Sequence, residues 1–459
     1  DVTDAAGNAA VQVTRIVTVF IPDVTVPIIT LIGDATVYLQ VGTAYTDAGA
    51  TATDNIDGDI TAAIAIVNAV DVNTVGTYTV TYNVSDAAGN LATAVTRTIT
   101  VKEPTEVTGI ISENTTWTAA NSPYSIIGNI EVSTGVTLTI EPDVIVNYMG
   151  DKVIRIKGSI NINGTAANPV QFNGNSTQGT QIMILFKSTD LANSSIDYVN
   201  FTGPQKAIQL ADETSDIQDS IKNTNTLTVD NCTFTNTFVV SHGYSSSANF
   251  IINNSEFILS EILTEDNSEN IILNGCKITF SKLRNNQFSV IKIYSSEVKE
   301  SIIYIDSYYS WSSGVSPYIL LIDGSKIYNS QFSGSSGGVS INQSILVDSP
   351  LLIGNIDLTM SNSEVSFDGA TTPVGVDVRK ATITNTLITG RGAGIAIRIN
   401  DQHNKQSIIS NSVITNNTIG ITVIGSYGEY DFQNNNFSNN KQYAIKNESN
   451  KNITATSNY

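Results

Sequence analysis

The chain has 459 residues, and although only 14% are charged, Asp and Glu outnumber Lys and Arg by 42 to 23, leaving a formal charge of −19. Nucleic-acid binding, which relies on clustered Lys and Arg, is excluded by this balance. No apolar run approaches the roughly 18 residues that a membrane-spanning segment needs. The length exceeds one ordinary hydrophobic core, so several domains or a solenoid are expected. Ser, Thr, Asn, Gly, Val and Ile dominate, which favours strands and turns over helix.

The chain opens on DVTDAAGNAAVQVTRIVTV, residues 1–19, which reads as two strands joined by a turn at Ala6-Gly7-Asn8. Residues 83–101, NVSDAAGNLATAVTRTITV, match it at 12 of 19 positions with an offset of 82, pairing Asp4 with Asp86, Asn8 with Asn90 and Arg15 with Arg97. Residues 1–22 are therefore expected to be the C-terminal hairpin of a preceding repeat, and residues 23–102 a complete copy. Strand runs at 28–31, 36–41, 63–67, 77–84 and 95–101 carry the rhythm of an antiparallel β-sandwich.

Three stretches, VGTAYTDAGATATDNIDGDIT (41–61), VGTYTVTYNVSDAAGN (75–90) and VTRTITV (95–101), resemble the immunoglobulin-like (Ig-like) repeats of large bacterial surface proteins. The resemblance implies a spacer that projects another module from the cell, with further Ig-like repeats in the same chain. Between Asp54 and Asp59 the chain places three carboxylates and an amide around a Gly turn. Such hard oxygens suit Ca²⁺, so Asp54, Asp57 and Asp59, with Asp86 or Asn90 from the later turn, are the expected ligands of a structural calcium ion. The plain alternative is an Asx-rich turn whose side chains satisfy their own backbone.

After a short linker, 103–106, the pattern changes. LTVDNCTF (227–234), FIINNSEF (250–257), IILNGCKI (271–278), LLIDGSKI (320–327), ATITNTLI (381–388) and SIISNSVI (407–414) repeat one motif of alternating aliphatic residues, a small or Asn corner and a further apolar position. Each copy is too short to bury its apolar stripe alone, so residues 107–459 are expected to stack as a β-solenoid with Asn and Ser ladders at the corners. Cys232 and Cys276 occupy equivalent positions two copies apart, about 9 to 10 Å at the usual strand spacing. That exceeds disulfide reach, so both are expected to be free thiols facing inward.

The stretches at 114–148 and 154–174, with GIAIRIN (394–400), resemble bacterial right-handed parallel β-helix proteins of the pectate-lyase-like type. In that family a final cap follows, which this sequence lacks, so both ends read as cut from a longer chain. The whole is thus expected to be all-β: an antiparallel Ig-like β-sandwich followed by a right-handed parallel β-helix solenoid.

Polysaccharide lyases and glycoside hydrolases use this fold. Aligning VGVDVRK (374–380) on AGIAIRIN (393–400) puts Asp377, Arg379 and Arg398 outward with the two arginines on consecutive rungs, a set that suits a uronate carboxylate. Asp401 and His403 follow in the next corner. The alternative is a solvated charge ladder. DSYYSWSSGVSPY (306–318) supplies Tyr308, Tyr309, Trp311 and Tyr318 as a carbohydrate-binding or partner-binding patch. The expected role is an extracellular cell-surface structural or adhesive protein, non-enzymatic, with carbohydrate or other copies of itself as partners. A fibre subunit completed by strand addition and a polysaccharide-cleaving enzyme are the rival readings.

Overall fold

The computed structural model describes residues 2–19, 21–175, 182–186, 191–203, 206–210, 226–242, 249–265, 270–286, 290–306, 318–334, 337–368, 374–390, 394–401 and 406–459. It divides into two compact units, Asp1–Glu103 and Pro104–Tyr459. Strands make up both, and among the described residues there is no α-helix, only short 3-10 turns. Among the described residues no helix is long and apolar enough to cross a membrane.

The first unit contains β1 (Ile28–Leu31), β2 (Thr36–Gln40), β3 (Ala50–Asp54), β4 (Gly58–Asp59), β5 (Ala65–Asn68), β6 (Gly76–Asn83) and β7 (Val95–Lys102). One sheet runs β1-β3-β4 and the other β2-β7-β6-β5. All pairings are antiparallel except β2 with β7, which run parallel. Alternation along β3, β6 and β7 turns Ala50, Ala52, Val80, Tyr82, Ile99 and Val101 into one core with Ile29 and Val84. Arg97 projects from β7 into the same interior and is 1% exposed. Its guanidinium donates to the Asp47 carboxylate, to Tyr82 Oη at 2.8 Å, and to the main-chain oxygens of Asp34, Ile32 and Gly49. A buried cation is tolerable here because every donor direction has an acceptor.

The repeat seen in the sequence reappears as geometry. An isolated bridge joins Thr3 to Ala9, and its counterpart joins Ser85 to Leu91. In both turns an Asp holds the Asn four residues on, Asp4 with Asn8 and Asp86 with Asn90. The expected second strand of the first copy is not formed, and Val11, Val13 and Ile16 are each 91% exposed. A lone hairpin has no sheet on which to bury them.

The second unit is a parallel β-solenoid. One turn shows its plan: strand Thr226–Asp230, corner Asn231, strand Thr233–Thr235, corner Asn236, strand Phe238–His242. The next turn, Asn249–Asn253, Glu256–Ile258 and Glu261–Glu265, pairs with it residue for residue. Inward positions hold Leu227, Val229, Phe234 and Val239, and one continuous core runs from Trp117 to Phe432. Within it Phe172, Phe201, Phe234 and Phe257 form a row with ring centroids 5.3, 5.2 and 4.7 Å apart, the first pair tilted and the other two stacked.

The corners explain the Asn and Ser content. Asn231, Asn254, Ser295, Gln343, Asn362, Asn385 and Asn411 sit at φ between 48° and 55°, the left-handed region, and Gly275 and Gly324 hold the same place. The residue after each corner turns inward and caps the main chain of the turn before. Cys276 N donates to Ser296 Oγ at 3.0 Å, Ser296 N to Ser325 Oγ at 3.2 Å, and Ser325 N to Ser344 Oγ at 3.2 Å. A parallel ladder at the next corner runs Ser260, Ser281, Ser301, Ser330 and Ser349. Cys232 and Cys276 occupy the first of these two columns as free, buried thiols, with Ser255 on the rung between them. Burial pushes the Cys276 thiol up to about 11 and Cys232 further still.

Candidate functional site

Two features of the described residues combine convergent polar groups with a defined shape: an acidic cluster in the first unit and a groove on the solenoid. The acidic cluster is built from three separate segments. Asp54 ends β3, Asp86 lies in the turn after β6, and Asp23 lies ahead of β1; carboxylate oxygens of the three lie within 4.8 Å of one another. Asp86 is 7% exposed. It accepts from the Asn90 main-chain N–H at 2.7 Å and from Asn90 Nδ2 at 2.8 Å, and Nδ2 also donates to the Asp23 main-chain oxygen at 3.1 Å. Burial alone would raise the Asp86 carboxyl, but these hydrogen bonds outweigh it and hold the group below its ordinary value. Asp54 Oδ2 accepts from the N–H groups of Ile56 and Asp57, whereas Asp54 Oδ1 is buried with no hydrogen-bond partner.

The structure thus redistributes the expected ligand set. Asp54 and Asp86 converge. Asp57 turns away to accept from Ala87 N at 2.8 Å, and Asp59 from Thr61 N at 2.9 Å, so these two stitch the loops to the backbone instead of joining the cluster. Asn90 orients Asp86 and Asp23 from behind. Asp23 has no counterpart in the sequence reading, because nothing in its local pattern marks it; it follows Pro22, and the residue at the same offset after Pro104 is Thr105.

On the solenoid the expected stacking of two arginines is corrected. Val374, Val376 and Val378 pair with Ile395, Ile397 and Ile399, so Arg398 lies beside Asp377 and not beside Arg379. Arg398 donates to Asp377, and Arg379, 6% exposed, donates through Nε and an Nη atom to Asp357 Oδ1 at 2.8 and 2.6 Å. Each guanidinium is thus paired with its own aspartate instead of stacking on the other. Asp401 is fully buried. His403, Tyr308, Tyr309 and Trp311 lie outside the described residues, and Tyr318 begins the strand Tyr318–Asp323.

The groove is a shallow, open depression of about 680 Å³ that follows one corner of the solenoid across four successive turns. It is bordered by the row of left-handed corner residues Gln343, Asn362, Asn385 and Asn411, all exposed, and by Ile345, Glu364, Leu387 and Val413, with the buried Ser344, Ser363 and Thr386 between the two rows. Asn362 Nδ2 donates to Asn342 Oδ1 at 3.1 Å and Asn385 Nδ2 to Asn362 Oδ1 at 3.4 Å, which aligns the amides along the rod. Sequence reading identified these corners as structural ladders but did not see that they border a concavity. The turn carrying Gln343 was not among the motif copies recognised.

Comparison with known proteins bears on both units. Residues 29–101 match the family model described as bacterial surface protein, Ig-like domain. No curated protein sequence matches the chain. Among solved structures, the lipoprotein BT2262 from Bacteroides thetaiotaomicron is 32% identical over 17% of this chain and 39% of its own, with a TM-score of 0.16. The chain therefore spans well under half the length of that protein. A tailspike protein of E. coli bacteriophage HK620, solved in complex with a hexasaccharide, aligns over 75% of this chain and 73% of its own at 11% identity and a TM-score of 0.26. The match and the fold together identify an Ig-like domain of the bacterial surface type at residues 29–101, followed by a parallel β-solenoid.

Proposed function

We propose that this chain is part of a bacterial surface protein in which the Ig-like domain serves as a stalk and the solenoid binds an extended carbohydrate without cleaving it. The observation that carries this reading is the row of four exposed amides, Gln343, Asn362, Asn385 and Asn411, beside a second row, Ile345, Glu364, Leu387 and Val413, that is aliphatic at three of its four places. A side-chain amide both donates and accepts, matching sugar hydroxyls, while Ile345, Leu387 and Val413 offer apolar contact to the C–H faces of the rings. The rungs repeat at about 4.8 Å, so a chain laid along the rod meets the same group at each step. Neutralisation of Arg379 and Arg398 by Asp357 and Asp377 favours binding over lyase chemistry.

A panel of neutral and acidic polysaccharides tests this reading. Retention of an intact polysaccharide, lost in an Asn362→Gly, Asn385→Gly variant that keeps the left-handed corners but removes both amides, is the expected outcome. Retention unchanged in that variant removes the groove from the proposal. New reducing or unsaturated ends in the polysaccharide would establish the enzymatic alternative instead.

A further inference from the structure

We propose that Asp23, Asp54 and Asp86 hold one Ca²⁺ ion that fastens the segment leading into the Ig-like domain onto two of its loops. This does not depend on the carbohydrate reading. Three carboxylates whose oxygens lie within 4.8 Å of one another repel unless a cation sits among them. None of the three forms an ion pair with Lys or Arg among the described residues. Asp86 is almost wholly buried, and its only side-chain partner among these contacts is Asn90, which donates to it through its main-chain N–H and through Nδ2.

Asp54 supplies a second, independent pointer. Its Oδ2 already accepts two main-chain N–H groups, and its Oδ1 is shut off from solvent with no donor at all. A carboxylate oxygen in that state needs a partner, and a cation held between Asp54, Asp86 and Asp23 would supply it. The donor set contains only hard carboxylate oxygens, without His or Cys, which selects Ca²⁺ over zinc or copper. Asn90 is the positioning residue: its amide touches Asp86 and the Asp23 backbone, and fixes how both face the ion.

The ligands come from three points of the chain. Asp54 and Asp86 belong to loops of the domain, whereas Asp23 belongs to the segment that joins it to the preceding hairpin, so occupancy converts that segment from a tether into a strut.

The test uses the full chain, stripped with a chelator and titrated with CaCl₂ at physiological ionic strength by calorimetry, with thermal unfolding followed in parallel. The expected result is saturable binding that raises the melting temperature. In Asp23→Asn the affinity falls by at least about tenfold and the thermal shift is lost, one charged ligand having been removed. Asp59→Asn, outside the cluster, binds as the parent does. Asp23 is half-buried ahead of β1 and lies outside both sheets, and unchanged circular dichroism verifies that its variant folds. Absence of saturable binding, an Asp23→Asn variant that binds like the parent, or an equal loss in Asp59→Asn would each overturn the assignment.

Discussion

Cys276 and Ser296 lie on neighbouring turns of the solenoid, and the main-chain N–H of the first donates to the hydroxyl of the second at 3.0 Å. Cys232 stands in the same relation to Ser255, also at 3.0 Å. Both cysteines thus fill places that serine fills elsewhere in the column, with their sulfurs near main-chain carbonyls of their own corners. Cys232→Ser and Cys276→Ser are expected to change unfolding free energy by less than about 1 kcal/mol, since the hydroxyl keeps the bond to the carbonyl two residues back. Ser296→Val, which orphans the Cys276 N–H, is expected to lower it by about 1–3 kcal/mol. Chemical denaturation of the three variants checks both statements.

Arg97 is the keystone of the Ig-like interior. Replacing it with Met leaves Asp47 without its counter-ion and removes a donor from the Asp34, Ile32 and Gly49 carbonyls, of which Gly49 keeps the Ile32 N–H. The expected loss is about 3–5 kcal/mol, the range for breaking one side of a buried pair. Arg97→Lys is expected to recover only part of it, because a single ammonium does not reach all five acceptors that the guanidinium fork spans. Urea unfolding monitored within the Ig-like unit separates these outcomes.

The same cluster makes that unit acid-sensitive. Burial raises the Asp47 carboxyl, but hydrogen bonds from Tyr82, Tyr45 and Arg97 together with the arginine charge more than offset it, so the folded value lies below 3.8. A depressed folded value means that the stabilisation is full above 3.8 and is lost as pH falls through the lower folded value. The melting temperature of the unit is therefore expected to drop on acidification below about pH 4. Asp47→Asn is expected to flatten that slope; an identical slope in the variant would assign the sensitivity to other carboxylates.

Phe280 and Leu259 occupy adjacent corners with φ of 49° and 51° and are 54% and 61% exposed. A bulky side chain gains no burial there and bears the steric penalty of the left-handed region, which Asn tolerates. Phe280→Asn is expected to stabilise the solenoid by about 1 kcal/mol. A destabilised variant would mean that the ring makes contacts which offset that penalty.

Most of the architecture was legible because the 82-residue period of the first unit is written in its turn and strand residues and the one-motif-per-turn period of the second in residues that face the core. β3 was not legible. Its sequence, Ala-Thr-Ala-Thr-Asp, alternates small residues and lacks the large apolar side chains that usually mark a strand, yet Ala50 and Ala52 are buried. The misread partner of Arg398 has a different cause. Slipping a strand by two residues leaves every side chain on its original face, so alternation fixes which residues point inward but not which outward neighbours meet. Asp23 escaped for a third reason: its site is assembled from segments near residues 23, 54 and 86, and no local pattern records that they meet.

The inward hydroxyl columns have a consequence for heredity. Ser325 and Ser344, Ser344 and Ser363, and Ser330 and Ser349 are each related by the same interval of 19 residues, and each serine donates nothing to its neighbour that the next copy would not also offer. Copying one interval in the gene would add a turn whose two faces already match the turns above and below. Lengthening the rod needs only duplication, with no compensating change elsewhere, so the distance it spans can be tuned one turn at a time.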